Sequence, residues 1–258
     1  MDYTLDDYAH SNGLRNTNPS FKVLFALLTM VVCVVSTSPV VPIIITVLIF
    51  FLIVFKAKIP YKFYLKFITI PFLFGFMTFI FMALFFGMMD PWFKIDLINL
   101  TVYKDGFNLG ILVLARILGG FSCLSFLALT TPMTEIFSLL EEFKIPVVVL
   151  EIAMLMYRYI FVFLEEAANM YNSQKTRLGY LSIRGSFKSM GILASNLFIR
   201  TWVRGEQVYI SMESRCYDGS MKTFKTHNSI GTKNMAMLVS FEFLLILGTF
   251  LTASFKII

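Results

Sequence analysis

Two arginines hold matching positions. Arg177 lies in Lys175-Thr176-Arg177-Leu178-Gly179 and Arg215 in Glu213-Ser214-Arg215-Cys216-Tyr217. Each follows a long stretch that reads as helix, so each is expected in a last helical turn. One such arginine is explained by the helix dipole, a favourable term of about 0.3–1 kcal/mol. Two suggest planar guanidinium forks that grip carboxylates on a partner. In the first of these stretches Glu151, Arg158 and Glu165 recur at a heptad spacing, and so share one stripe. That stripe is either solvated or a line of charge that pairs with a crossing helix.

Other chemistry is poorly supported. Glu165-Glu166 near the end of an apolar run is the kind of pair an intramembrane protease uses, but such a site needs a histidine on another helix, and no apolar run contains one. His10 and His227 are far apart and have no ligand-spaced companions, so no histidine-based metal site is expected. Cys33 and Cys123 lie in apolar runs and Cys216 in a polar segment, which suggests neither disulfides nor a cysteine metal site. The chain has no phosphate-binding Gly-x-x-x-x-Gly-Lys-Ser/Thr loop. Its fifteen methionines are scattered through apolar runs and read as packing. Arg116 and Glu242 are charges inside apolar runs. They are expected to pair with each other or to face a partner subunit, and a substrate role would point instead to a stand-alone secondary transporter.

The elements that hold these residues are set by composition. Of 258 residues, 57% are hydrophobic and 15% are charged, and the mean hydropathy is +0.76. Soluble domains carry about 25% charged residues, so the chain reads as an integral membrane protein with no large soluble enzyme domain. Its net charge of +6 fits basic cytoplasmic loops rather than nucleic-acid binding. Residues 1–20 are polar and form a cytoplasmic N-terminal segment, not a cleaved signal peptide.

A helical span takes about 20 apolar residues. Four spans are expected within residues 21–131: Phe21–Val35, Val40–Phe55 after the Ser36–Pro39 break, Phe67–Met89 and Phe107–Leu129. A last span is expected at Asn234–Phe255, within residues 234–258. The loop holding Lys56, Lys58, Lys62 and Lys66 is placed in the cytoplasm, which puts the N-terminus inside and Ile258 outside. Residues 132–233 hold twelve of the twenty-two basic residues, so they too are placed in the cytoplasm. Ile145–Leu164 is long enough to span. However, it contains Glu151 and Arg158, each costing about 2.5–3.5 kcal/mol at a helix centre. Spanning would also move nine following basic residues outside, so an interfacial or cytoplasmic helix is expected.

This cytoplasmic stretch reads as three helices. Thr131-Pro132 starts a short amphipathic helix in which Met133, Ile136, Phe137, Leu140 and Phe143 repeat at helical spacing on one face, and which ends before Pro146. A second helix runs from about Val147 to Arg177, with Gly179 as its cap. A third runs from about Phe187 to Tyr217, with Gly219 just beyond. Gly191, Ala194 and Ser195 offer a surface for close approach by another backbone, and Gly205 hints at a crossing or a bend. The fold class is therefore an all-α polytopic membrane protein with about five transmembrane helices and three coupling helices, the two long ones crossing.

The sequence resembles a known family. The segments that match it are Leu5-Asp6-Asp7-Tyr8-Ala9 with Leu14-Arg15, Pro19 and Lys22; then Leu129-Thr130-Thr131-Pro132, Pro146 and Tyr157-Arg158-Tyr159-Ile160-Phe161; then Arg204, Glu206, Tyr209, Met212, Arg215, Tyr217 and Gly219. They look like the transmembrane T component of energy-coupling-factor transporters, of the cobalt/nickel CbiQ type. The resemblance implies a non-catalytic subunit with no cofactor of its own. It joins two cytoplasmic ATP-binding subunits to a membrane substrate-binding subunit within the lipid bilayer. It further implies that Arg177 and Arg215, in place of two Ala-Arg-Gly-like motifs, dock into the ATPases. Thr176, Gly179, Ser214, Gly219, Arg158, Arg204 and Glu206 would support them. The neighbours depart from the motif: Thr176 and Leu178 flank one arginine, Ser214 and Cys216 the other, and Gly179 stands one place late. The implied cargo is cobalt or nickel, with a vitamin-type T component as the alternative.

Overall fold

The computed structural model describes residues 5–15, 17–86, 91–95, 100–142, 145–218 and 231–252. It divides into two compact units, residues 1–136 with 227–258, and residues 137–226. The first holds α1 (Leu5–Ser11), α2 (Pro19–Val35), α3 (Val40–Phe51, with a π-helical end Leu52–Lys56), α4 (Tyr61–Phe85), α5 (Lys104–Thr130) and α9 (Thr232–Leu251). α6 (Met133–Glu142) leads out of it into the second unit, which holds α7 (Val147–Thr176) and α8 (Ile183–Glu213). A short antiparallel hairpin, β1 (Pro91–Ile95) with β2 (Leu100–Tyr103), precedes α5.

The chain is an all-α polytopic membrane protein. α4, α5, α7 and the Asn234–Leu251 part of α9 have the length and hydropathy of membrane spans, and Pro19–Val35 and Val40–Lys56 are shorter apolar helices. α4 shows why lipid is the right solvent: Ile70 is 78% and Met77 70% exposed. In water a surface like that would drive aggregation. α4 begins six residues before the expected Phe67. Lys62 and Lys66 suggest a loop, but lysine stems lie along a helix with their charges at the interface. Met89, the expected end of this span, lies outside the described residues, as does Phe255 of the last span.

α5 is the centre of the first unit, and small residues make it so. Gly106, Gly110, Ala115, Gly119, Ser122 and Cys123 are all buried along it. Small side chains let membrane helices approach closely, where dispersion can act. A Cβ on Gly119 would overlap the Cys33 sulfur and come 3.1 Å from the Pro42 carbonyl oxygen. α2 runs antiparallel to α5. Lys22 Nζ donates to the Thr130 carbonyl at 2.9 Å, Phe25 meets Phe126 edge-on with centroids 5.5 Å apart, and Cys33 Sγ lies 3.8 Å from the Arg116 carbonyl. The buried face of α2 is Lys22, Ala26, Thr29 and Cys33, one helical stripe.

Asn12, Lys22 and Arg116 serve helix ends. Asn12 Nδ2 donates to the Leu129 and Thr130 carbonyls at 3.3 and 3.2 Å. With Lys22 it satisfies the last carbonyls of α5, which lack intrahelical donors. Arg116 does the same for α2, donating from Nε and Nη2 to the Ser36 carbonyl at 3.1 and 2.6 Å. Glu242 instead accepts from the Thr29 hydroxyl at 2.9 Å. The expected pairing of Arg116 with Glu242 is therefore absent. Arg116 answers to the C-terminal end of α2 and Glu242 to a hydroxyl in its interior, because an unpaired backbone carbonyl in a helix end competes well for a guanidinium.

Candidate functional site

α7 ends because its backbone turns left-handed. Leu178 has φ 61°. Its N–H bonds the Lys175 carbonyl at 3.0 Å, and the Gly179 N–H bonds the Gln174 carbonyl at 2.9 Å. That bond pair is the Schellman closure, which satisfies orphan carbonyls and fixes the exit of the chain. α8 ends in the same way. Cys216 has φ 57°, its N–H bonds the Glu213 carbonyl at 3.0 Å, and the Tyr217 N–H bonds the Met212 carbonyl at 3.1 Å. Arg177 and Arg215 thus occupy equivalent positions, each just before the left-handed residue. Both are exposed, and neither has an ion-pair partner among the described residues.

α7 and α8 form an antiparallel hairpin, so these equivalent ends are far apart. Near the turn, Gln174 Nε2 donates to the Ser189 carbonyl at 3.1 Å, Tyr180 donates to Gln174 Oε1 at 2.6 Å, and Ser189 Oγ donates to the Gly179 carbonyl at 2.8 Å. Midway, Arg200 meets Glu166 at 2.6 Å. At the far end, the Tyr217 hydroxyl donates to Glu151 Oε2 at 2.7 Å. Arg177 lies at the turn and Arg215 at the far end. Thirty residues of α7 at about 1.5 Å each separate them by about 45 Å. The structure does not bring the two arginines together into one site.

The supporting residues fall into place unevenly. Thr176 Oγ1 bonds the Ser173 carbonyl at 2.9 Å and Ser214 Oγ the Ser211 carbonyl at 3.0 Å, so both finish their helices. Gly179 is required by space: a Cβ there would lie 2.7 Å from Ser189 Oγ and 3.0 Å from the Gln174 carbonyl oxygen. Arg158 and Arg204 line a cleft together with Arg215. Glu206 is exposed on α8 and does not line that cleft. Gly219 lies outside the described residues.

Two interhelical partners escaped the sequence reading. Glu151 is 4% exposed and is bonded by Tyr217 rather than solvated. That bond holds the Tyr217 hydroxyl above its ordinary value, because donating to a carboxylate favours the neutral phenol. In the stripe Glu151–Arg158–Glu165, the pairing with α8 falls on Glu151 and on Glu166, next to Glu165. Only the antiparallel register, in which 151 faces 217 and 166 faces 200, identifies these pairs. α8 begins at Ile183, four residues before the expected Phe187, because Ser182 caps it by accepting from the Gly185 N–H at 3.1 Å. Gly191 and Gly205 have no atom within 4 Å of a built Cβ, so the close approach expected there is not made within the described chain. Among the described residues, no group of three His, Cys, Asp or Glu side chains is arranged to hold a metal ion.

The fold and this hairpin define a multi-pass helical membrane protein whose two longest helices carry matched, exposed arginine ends. The CbiQ cobalt transport protein family matches residues 10–226, and the chain belongs to that family. An uncharacterized protein of Methanocaldococcus jannaschii is 44% identical over 255 residues, covering 98% of this chain and 95% of that one. A putative fused cobalt transport protein CbiMQ of Methanocorpusculum labreanum is 37% identical over 223 residues, 85% of this chain and 37% of the longer one. The energy-coupling factor transporter transmembrane protein EcfT of Staphylococcus aureus is 27% identical over 220 residues, 81% of each chain.

Proposed function

We propose that this chain is the T component of an energy-coupling-factor importer for cobalt. It carries the motions of two cytoplasmic ATP-binding subunits to a substrate-binding membrane subunit and catalyses nothing itself. The observation that carries this reading is the pair of equivalent arginine ends at opposite ends of one hairpin. One arginine for each of two ATPase subunits needs such a separation, whereas a single bidentate site would need the arginines side by side. The family and the fused CbiMQ relative support cobalt and a membrane partner. The reading places α6 to α8 on the cytoplasmic side, the N-terminus inside and the C-terminus outside. α7 has the length of a span, but its basic neighbours favour the cytoplasmic face.

A vitamin-type T component is the second reading, favoured by the likeness to EcfT. The cargo is tested in cells lacking this chain. The cobalt reading expects loss of ATP-dependent uptake of radioactive cobalt with riboflavin, folate and biotin uptake intact. The reverse pattern would establish the vitamin type.

A further inference from the structure

Three guanidinium side chains, Arg158 on α7 and Arg204 and Arg215 on α8, line one cleft of about 450 Å³. Tyr159, Gln207 and Ser211 complete its polar lining, and no carboxylate is part of it. All three arginines are exposed, and none is in an ion pair among the described residues. Like charges repel one another; Glu151 lines the adjoining cleft with Arg204, but no carboxylate stands in this one, so an anion held among the arginines relieves that repulsion.

The donors favour one anion class. Guanidinium forks present paired N–H groups to two oxygens at once. The tyrosine and serine hydroxyls and the glutamine amide add neutral donors from other directions. A tetrahedral phosphate accepts hydrogen bonds from several directions at once, whereas a planar carboxylate offers its two oxygens in one plane. The surroundings indicate where the phosphate comes from. Leu155, Tyr159, Val208 and Met212 of this cleft also line a second, largely apolar one of about 630 Å³. Beside it, Val148, Ile152, Met156 and Ile160 form one stripe of α7 at four-residue spacing, 49% to 62% exposed. A cationic cleft sharing its wall with an exposed apolar stripe matches the two halves of an amphiphile lying at a bilayer surface.

We propose that Arg158 and Arg204 hold the headgroup phosphate of an acidic membrane phospholipid, with the apolar stripe of α7 against its chains, while Arg215, which lines the same cleft, serves the ATPase contact proposed above. The site rests on the cytoplasmic placement of α7 and α8 in the function proposed above, and adds that this hairpin lies against the bilayer surface and holds a ligand there.

The test uses the full chain purified with its ATPase subunits in mild detergent and titrated with phosphatidylglycerol or phosphatidylcholine, with bound lipid counted by native mass spectrometry. The wild type should retain phosphatidylglycerol in preference to phosphatidylcholine. Arg158→Gln with Arg204→Gln should weaken that retention about 30-fold, from roughly 1 kcal/mol for each basic residue at a charged surface. Arg158→Lys with Arg204→Lys should restore part of it, because the charge returns without the paired fork, which separates lost charge from lost folding. Equal retention of both lipids by the wild type would overturn the proposal. Displacement of phosphatidylglycerol by millimolar inorganic phosphate would assign the cleft to a soluble anion and overturn it as well. A glutamine variant that keeps its lipid but sheds the ATPases would show that the cleft reads a protein carboxylate, again against the proposal. Loss of lipid with the ATPases retained supports the site, and a wild type that never binds ATPases contradicts the coupling function while leaving the lipid result readable.

Discussion

Leu178 and Cys216 are the same residue in structural terms: each follows a helix-ending arginine, each is left-handed (φ 61° and 57°), and each donates the first bond of a Schellman closure. Glycine enters that backbone region at no steric cost, whereas an L side chain pays about 1–2 kcal/mol. The glycine missing from each Arg-containing motif is therefore missing from the position where it would relieve strain.

Leu178→Gly and Cys216→Gly are each expected to stabilise the hairpin end by about 1 kcal/mol, the strain removed less the extra entropy of an unfolded glycine. Hydrogen exchange at the Gly179 and Tyr217 amides should slow. Faster exchange in both variants would show that the left-handed turn is not where the strain resides.

Packing around α5 makes a contrast between neighbouring glycines. Gly119→Ala should destabilise the bundle by about 1–3 kcal/mol through overpacking against Cys33 and Pro42. Gly120 has open space around its Cβ position, so Gly120→Ala should be neutral or slightly stabilising. Thermal unfolding in detergent checks this, and equal shifts for the two variants would contradict the helix packing described.

Lys22 is 2% exposed and caps α5 through the Thr130 carbonyl. Lys22→Met keeps the stem and removes the donor, which should cost about 1.5–3 kcal/mol, the range for hydrogen bonds to charged groups. The readout is chemical denaturation of the detergent-solubilised protein. An unchanged midpoint would mean that Asn12, which also donates to the Thr130 carbonyl, satisfies it alone.

Tyr217 makes the far end of the hairpin pH-sensitive. Its hydroxyl donates to Glu151, which raises it above the ordinary 10.0. A value raised on folding contributes stability that is complete below about pH 10 and is lost as pH rises through the folded value. Subtracting the ultraviolet tyrosinate titration of Tyr217→Phe from that of the wild type isolates this one group. The difference curve should have its midpoint above 10. A midpoint at or below 10 would contradict the bond.

Helices that stand alone were legible in the sequence, and relationships between helices were not. α6, α7 and the spans follow from hydrophobic runs, prolines and end signals, with errors at Tyr61 and Ile183 where a lysine or a serine cap was misjudged. Arg177 and Arg215 were found from their place at helix ends. The Glu151–Tyr217 and Glu166–Arg200 pairs depend on the antiparallel register of α7 and α8, which no local pattern states. As charges in apolar runs, Arg116 and Glu242 suggest either a pair or a face turned to a partner subunit, and sequence alone does not choose between them. In the structure the backbone carbonyl of Ser36 and the hydroxyl of Thr29 are the actual partners. Asn12 shows the same limit, since its partners at Leu129 and Thr130 lie more than a hundred residues away.

The central claim is that each arginine end holds one ATPase subunit, and subunit stoichiometry after affinity purification tests it directly. The wild-type chain should retain two ATPase subunits, Arg177→Ala or Arg215→Ala one, and the double variant none, with transport lost. Arg184→Ala with Lys188→Ala, which removes two exposed charges early in α8, should retain both. A double arginine variant that keeps both ATPase subunits and full transport would contradict the account.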